Sequence, residues 1–370
     1  MATFYFNGAV DGEWTELGNW WLDDEFSVQA TALPTSTDDV IASVSITSNS
    51  GSAPTVANAT FNGSAHNGIT ITVTGLCTFN DSINNGTITG DCIFNSTAWD
   101  LGDNEGTITG NCTFNDSSEN AGAVTGDCTF TGTRGNNGTI TGNCTFLTEA
   151  YNGITGTITG DCTFDPPGYG VDYYVSNYGT ITGDCTFYGG SRNTTESGGL
   201  GSITGNCVFN DSSSNNGYIT GDCVFNDGAH NYRGESVDNI IGNCVFNDGS
   251  WNGEGINGDC VFNDGSFNGW MGYGGAGNCI FNHTSANGGS VNNAVFNDSA
   301  TLYWWDGIFE NIVGRVAGNC TLSVASASLT LDGWGHRIGQ ASGDGLDRIE
   351  GTIDIKYDKG INGSSILGVV

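Results

Sequence analysis

A short phrase recurs along most of the chain. Residues 86–95 read GTITGDCIFN, residues 106–115 read GTITGNCTFN, and close copies follow. Aligning the copies places one cysteine in each, at spacings of 15 to 23 residues. These cysteines are Cys77, Cys92, Cys112, Cys128, Cys144, Cys162, Cys185, Cys207, Cys223, Cys244, Cys260 and Cys279. Self-similarity at this period is typical of solenoids, in which each repeat stacks on the next.

Alternation within one copy predicts strands. In residues 107–114, Ile, Cys and Phe share one parity and three Thr share the other. Since side chains alternate faces along a strand, Ile, Cys and Phe point inward. A glycine at the inward parity marks a bend, and all length variation follows the Phe. The sequence therefore predicts an all-β fold: a parallel β-solenoid (β-helix) of about 15 rungs, capped at both ends.

The count of repeats and the division of the chain follow from this alignment. Ala59 and Ala294 occupy the cysteine position at the two ends, and Cys320 is counted as a degenerate copy. We predict an N-terminal cap rich in Trp over residues 1–58, repeats over 59–300, and a C-terminal cap over 301–370. The last region is also a candidate oligomerisation surface, and a plain packed cap is the alternative.

The repeated cysteine predicts an inward ladder of small, apolar side chains. Disulfides and a zinc site are the alternatives. Thirteen cysteines is an odd number, no CxxC pair occurs, and stacked cysteines point along parallel vectors that suit a disulfide poorly. We therefore assign Cys92, Cys112, Cys128, Cys144, Cys162, Cys185, Cys207, Cys223, Cys244 and Cys260 to the structural core.

Asp and Asn alternate just before the cysteine, apart from the successive pair Asp161 and Asp184. The residues are Asp91, Asn111, Asp127, Asn143, Asp161, Asp184, Asn206, Asp222, Asn243, Asp259 and Asn278. Carboxylates stacked one rung apart would repel each other, and an interposed Asn separates them and supplies an amide donor. We interpret the alternation as relief of repulsion within the fold.

The charge excludes several partners and activities. The chain has eight Lys and Arg and forty Asp and Glu, which gives a net charge of −32. This charge disfavours binding to nucleic acid and to anionic membrane surfaces. No stretch approaches the roughly eighteen apolar residues of a membrane helix. The four His lie in unrelated repeats, and no pair of carboxylates stands out from the repeated background, so we predict a protein that is not an enzyme.

A possible Ca²⁺ site lies four residues after the cysteine in four consecutive copies. The residues are Asp211, Asp227, Asp248 and Asp264. No Asn interrupts this series, so a bridging cation such as Ca²⁺ would relieve its repulsion. Solvated turn residues are the alternative.

Outward Thr-x-Thr pairs form a second candidate surface. They are Thr87 and Thr89, Thr107 and Thr109, Thr139 and Thr141, Thr157 and Thr159, and Thr180 and Thr182. Stacked on a sheet, they resemble the ice-binding face of solenoidal antifreeze proteins. The alternative is that Thr, which has a high β-propensity, simply forms stable ladders on an exposed face. The array decays after residue 205.

Loop aromatics form a third candidate surface. They are Trp99, Tyr169, Tyr173, Tyr174, Tyr178, Trp251 and Trp270. Since every insertion falls in the same part of the repeat, we expect these loops along one edge, where aromatic rings beside Asn suit glycans. Aromatics that fold back to shield the core are the alternative.

One stretch near the N-terminus resembles a known class. GNWW at 18–21 followed by LPTSTDDVI at 33–41 is similar to the opening of large bacterial and viral β-helix adhesins. The Gly- and Asn-rich rungs likewise resemble phage and virus fibre or spike proteins. The resemblance implies attachment or virion architecture and no catalytic residues.

These observations predict a non-enzymatic fibre, spike or decoration that binds host glycans or a virion protein and self-associates as a trimer or filament. An ice-binding protein, and a Ca²⁺-dependent adhesin or filament subunit, are the alternatives. The opening MATFYFNGAVDGEW predicts no cleaved signal peptide. We therefore expect a virion or extracellular surface location after assembly in a reducing cytoplasm, which suits free cysteines.

Overall fold

Parallel strands stack turn upon turn in the computed structural model of the chain. The structure describes residues 2–97, 102–167, 175–194, 201–232, 238–269, 275–287, 290–296, 301–304, 316–318, 320–324, 349–350 and 353–357. The described residues up to Gly183 form a first compact unit, and those from Asp184 onward form a second. They contain no α-helix and one 3-10 turn, Leu17–Asn19, and none of their segments is a helix that could cross a membrane.

A full turn of the first unit has three strand positions, which we name after a buried residue. The isoleucine strands are Thr107–Thr109, Ala123–Thr125, Thr139–Thr141, Thr157–Thr159 and Thr180–Thr182. The cysteine strands are Cys112–Asp116, Cys128–Phe130, Cys144–Leu147 and Cys162–Asp165. Thr70–Asn80 and Thr87–Ser96 each cover both positions. The asparagine strands are His66–Asn67, Ile83–Asn84, Tyr151–Asn152 and Ser176–Asn177.

The second unit repeats these three positions. Its isoleucine strands are Ser202–Thr204, Tyr218–Thr220, Asp238–Ile241 and Gly255–Asn257. Its cysteine strands are Cys185–Phe187, Cys207–Phe209, Cys223–Phe225, Cys244–Phe246 and Cys260–Phe262, followed by the longer Gly275–Phe281 and Ser290–Phe296. Its asparagine strands are Arg192–Asn193, Ser214–Asn215, His230–Asn231, Trp251–Asn252, Phe267–Asn268 and Ala286–Asn287. The remaining strands are Thr301–Trp304, Val316–Gly318, Cys320–Val324, Ile349–Glu350 and Ile353–Tyr357.

The register confirms the predicted parallel β-solenoid. Within each unit, cysteine pairs with cysteine and Phe with Phe in successive turns, as in Cys112 with Cys128 and Phe114 with Phe130. Twelve turns carry a buried free cysteine, six in each unit, slightly fewer than the predicted 15 rungs. The Phe rings stack face to face, with centroids 4.6 to 4.9 Å apart.

At the two ends of the cysteine column, two of the three predicted members hold their position and one does not. Ala59 pairs with Cys77, and Ala294 pairs with Cys279, so both alanines hold the predicted position. The assignment of Cys320 as a further copy is wrong, because Val316 pairs with Ala294 instead. Cys320 belongs to a strand that pairs with Thr301–Trp304, in the sheet of the asparagine strands.

The N-terminal region contributes five strands to the first unit. They are Thr3–Phe6, Trp20–Trp21, Asp39–Ala42, Thr55–Val56 and Asn58–Asn62. Thr3–Phe6 pairs in parallel with Asp39–Ala42 and antiparallel with Trp20–Trp21. The fully buried Trp20 packs edge-on against Phe6 and Trp14, at centroid distances of 5.0 and 4.7 Å. Apolar aromatic bulk therefore lies beside the first parallel strands.

Candidate functional site

Each repeat bends at the glycine that precedes Asp-Cys or Asn-Cys. At Gly110, φ is 154°, and a Cβ would lie 2.2 Å from the carbonyl oxygen of Gly90 in the preceding turn. Gly221 in the second unit has the same φ and approaches the carbonyl oxygen of Gly205 as closely, at 2.1 Å. Glycine is the residue that tolerates both this dihedral angle and this approach.

Side chains satisfy backbone groups at this corner. The N–H of Asn111 donates to Asp91 Oδ1 of the preceding turn at 2.8 Å, and the N–H of Asp127 donates to Asn111 Oδ1 at 2.9 Å. The thiol of Cys112 donates to the carbonyl oxygen of Gly110 at 3.9 Å. Asp and Asn each carry a side-chain oxygen that can accept this hydrogen bond. Cys is a small apolar side chain whose S–H can donate one. The corner thus accounts for both repeated positions.

This geometry revises our interpretation of the Asp and Asn alternation. The expected donors were Asn amides, whereas the donors along the column are backbone N–H groups. Asn278 adds the expected contact, because its Nδ2 also donates to Asp259 Oδ1 at 2.9 Å. Within each unit, alternation still places successive carboxylates of the column about 10 Å apart, two rungs of roughly 4.8 Å. Repulsion is therefore reduced by spacing.

The cysteine column is buried in the core of each unit. The described thiols are at most 3% exposed. Burial, together with hydrogen bonds to neighbouring thiols, raises the pKa of Cys207 and Cys244 well above its usual range. Cys207 and Cys244 are therefore poor nucleophiles, because the thiolate is the reactive form.

A buried asparagine ladder escaped our sequence interpretation. Its amides form hydrogen bonds from turn to turn at 2.7 to 2.9 Å and are at most 1% exposed. Its members are Asn67, Asn84, Asn104, Asn120, Asn136, Asn152 and Asn177 in the first unit, and Asn193, Asn215, Asn231, Asn252, Asn268 and Asn287 in the second. The recurring Asn-x-Gly before the Thr-x-Thr phrase was the available signal.

The asparagine strands also divide the variable part of the repeat in two. In the sequence, residues 98–101 and 168–174 precede an asparagine of the ladder, whereas residues 195–200 and 233–237 follow one. Insertions therefore enter the repeat on both sides of this strand, and the single variable stretch that we predicted is divided between them.

The outward Thr residues of the first unit form a continuous surface, which we call the threonine face. It consists of Thr70, Thr72, Thr87, Thr89, Thr107, Thr109, Ala123, Thr125, Thr139, Thr141, Thr157, Thr159, Thr180 and Thr182. These side chains form two columns in register over seven turns. All but Thr72 and Thr87 are exposed. At roughly 4.8 Å per turn and 6.8 Å between alternate residues, the two columns span about 29 by 7 Å.

The corresponding positions of the second unit are chemically mixed. Ser202 pairs with Tyr218, Thr220 pairs with Ile241, and Ile241 pairs with Asn257. The register also shifts between Asp238 and Ile240. The threonine face therefore ends with the first unit.

Turn geometry explains the four aspartates predicted to bind Ca²⁺. Asp211, Asp227, Asp248 and Asp264 have φ values of 48° to 52°, and in the last three the next residue is a Gly with φ of 74° to 79°. Two successive positive φ values define a type I′ turn, which favours Asp-Gly. The carboxylate of Asp264 lies 3.0 Å from His283 Nδ1. No group of three or more His, Cys, Asp or Glu among the described residues is arranged to hold a metal ion.

Two of the seven predicted aromatic residues fall within the described residues. Tyr178 meets Tyr151 edge to face, with centroids 6.2 Å apart. Trp251 stacks flat on His230 at 4.6 Å, and Tyr232 lies at 5.5 Å. His230 therefore covers one face of Trp251, which leaves less of that ring for a sugar. Trp99, Tyr169, Tyr173, Tyr174 and Trp270 lie outside the described residues.

Arg134 joins three consecutive turns of the first unit. Its guanidinium lies 2.5 Å from Glu119 Oε2 and 3.4 Å from Asp103 Oδ2, and all three side chains are at most 12% exposed. The pKa of Asp103 is raised to about 6, mainly by burial and also by the charges of Glu119 and Glu105, against the opposing effects of the Glu119 N–H and Arg134. Nothing in the repeat pattern indicated this cluster.

Comparison with protein-family models, with curated proteins and with solved structures finds no match. The class of the protein therefore rests on its fold: a repeat protein of the parallel β-solenoid type with a buried cysteine ladder.

Proposed function

We propose that this chain is a non-enzymatic structural and adhesion protein, a fibre, spike or decoration on a virion or cell surface. The observation that supports it is the continuous interior of each unit. Six Cys, seven Phe and seven Asn stack in the first unit, and six of each stack in the second. Each buried amide and ring contacts its equivalents in both neighbouring turns, so a single turn resists opening. A protein that carries mechanical load requires this resistance.

The test combines location and assembly. Antibodies against the chain, with immunogold labelling, are expected to mark the outer surface of particles or cells of the source organism. Light scattering of the purified full chain is expected to give the mass of a trimer or filament. Label confined to the cell interior, together with a monomeric mass, would reject this function.

A second candidate function, binding to ice, is favoured by the threonine face. This surface carries methyl and hydroxyl groups at regular intervals and no charged side chain. Its area of about 200 Å² is far below the roughly 800 Å² per partner of a stable protein interface. A neutral, periodic solid suits such a surface better than a protein partner does.

Thermal hysteresis of the purified chain tests this candidate. Thr141→Tyr places a large ring within the threonine face and is expected to abolish the hysteresis. Thr204→Tyr changes an exposed Thr of the second unit and serves as the control, which is expected to keep it. A chain without hysteresis is not an ice-binding protein.

A further inference from the structure

Exposed apolar side chains concentrate in the N-terminal region. Eleven large apolar side chains are exposed in the part of the chain that the structure describes, and six of them lie between residues 10 and 44. Those six are Val10, Leu17, Leu22, Phe26, Val28 and Val44. A contiguous apolar patch on a folded surface marks a site of interaction, whereas single exposed apolar side chains do not.

Three of the six belong to one hairpin, residues 20–30, which we call the cap hairpin. The N–H of Leu22 donates to the carbonyl oxygen of Val28 at 2.8 Å, so these two residues face each other across the hairpin. Leu22 is 43% exposed and Val28 is 52% exposed. Residues directly opposite in an antiparallel pair share one face, so Leu22 and Val28 form one apolar patch. Phe26, 37% exposed, lies at the turn against Trp21.

The cap hairpin is held rigidly. The Asp23 carboxylate accepts the N–H groups of Ser27 at 2.8 Å and Val28 at 3.0 Å. These bonds and the Ser27 hydroxyl lower the pKa of Asp23. At the base of the hairpin, the fully buried Trp20 donates its Nε1–H to the carbonyl oxygen of Trp14 at 2.8 Å. An apolar patch on a pre-ordered hairpin loses little entropy on binding.

The negative charge around the cap hairpin limits the chemistry of a partner that can bind there. Residues 1–58 contain eight Asp and Glu and no Lys, Arg or His, and Asp23, Asp24 and Glu25 lie within the hairpin. The same region of a second copy, or an anionic lipid surface, would be repelled by this charge. An apolar pocket surrounded by Lys or Arg is complementary to it.

We propose that the cap hairpin is a docking site for another protein, which receives Leu22 and Val28 in an apolar pocket with a basic rim. The inference goes beyond the structural role, since it assigns attachment to the N-terminal region. It stands independently of the threonine face.

The probe for this site is a short helical peptide of leucine and lysine, titrated calorimetrically into the full chain at low salt. Leu22→Ser with Val28→Ser is expected to raise its Kd by about tenfold or more, as for a buried apolar anchor. Ile154→Ser with Ile241→Ser removes two other exposed apolar side chains and is expected to change Kd by less than about twofold. Asp24→Asn with Glu25→Gln is expected to weaken binding and its salt dependence.

Four results would overturn the proposal, provided that the variants keep the thermal stability of the parent chain. The first is an equal Kd in the hairpin and control variants. The second is equally tight binding of a lysine peptide without leucine, which indicates charge attraction alone. Dimerisation of the chain through the hairpin, or binding of the hairpin to phosphatidylcholine vesicles in place of the peptide, would assign the patch to a second copy or to lipid.

Discussion

The isoleucine strands of the two units have the same interior and different exteriors. Ile140 in the first unit and Ile219 in the second are both at most 1% exposed, and each pairs with its neighbours in register. Outside, the first unit presents the threonine face, whereas the second presents Tyr218, Ile241 and Asn257. The second unit forms this sheet without Thr columns. The regularity of the threonine face is therefore not a requirement of the fold.

Interior and exterior are under different physical constraints. A side chain in the cysteine, Phe or Asn column contacts its equivalents in both neighbouring turns, so a change in one turn disturbs three. An exposed side chain on the sheet meets mostly water and can vary at small cost. The predictions below separate these two cases, from the largest expected effect to the smallest.

The corner glycine is expected to be the most sensitive interior position. Gly142→Ala adds a Cβ 2.2 Å from the carbonyl oxygen of Gly126, at φ of 153°. We expect a loss of about 3 kcal/mol or more in the free energy of unfolding, measured by chemical denaturation. Gly63→Ala is the control, since its φ is also positive but no atom lies within 4 Å. Equal losses would show that the close approach is unimportant.

The buried asparagine ladder is expected to matter almost as much. Asn136→Ala leaves Asn120 Nδ2 and the N–H of Gly138 without their acceptor, which should cost about 2 to 3 kcal/mol. Asn252→Ala in the second unit should cost a similar amount, because its ladder bonds are equally short. Asn85→Ala removes an exposed amide and is the control. Clearly different losses of unfolding free energy in Asn136→Ala and Asn252→Ala would contradict the equivalence of the two interiors.

The cysteine column should be less sensitive. Cys128→Ala removes one packed sulfur atom and its weak bond to the carbonyl oxygen of Gly126, at a cost of about 1 kcal/mol. Cys223→Ala should lose the same amount, since its thiol makes the equivalent bond to Gly221. Urea unfolding checks both variants. A loss far above this value would assign the column a role beyond packing.

The cluster of Arg134, Asp103 and Glu119 lies in the first unit. Its effect on the free energy of unfolding is smaller and depends on pH. The pKa of Asp103 is about 6 in the folded chain, against 3.8 for the free side chain. The folded state therefore binds this proton more tightly, so the contribution of Asp103 to the free energy of unfolding rises as pH falls from about 7 toward about 4. Asp103→Asn is expected to remove that rise. A pH profile of unfolding that is unchanged in the variant would assign the rise to another group.

The threonine face offers the smallest change in stability and a gain in function. Ala123→Thr completes the interrupted column and should change the free energy of unfolding by less than about 0.5 kcal/mol, because the side chain is exposed. If the face binds ice, thermal hysteresis should increase. Ser202→Thr in the second unit is the matched control, expected to leave it unchanged. An equal increase in both variants would place the active surface elsewhere.

The sequence alone determined the architecture and most of the core. Alternation within the phrase identified Ile, Cys and Phe as inward residues, because side chains on a strand alternate faces whatever their neighbours are. The same reasoning placed the threonine pairs outside. It also assigned Ala59 and Ala294 to the cysteine column, where the structure confirms them.

Only the tertiary structure decided how the turns contact one another. Asn136 looks like a loop residue in the sequence, and it is buried because Asn120 and Asn152, each 16 residues away, offer amide partners. Arg134 meets Asp103 over 31 residues for the same reason, and Cys320 leaves the cysteine column because Val316 takes its place in the pairing. Alternation specifies which way a side chain points, whereas its partner depends on the stacking of turns whose lengths differ.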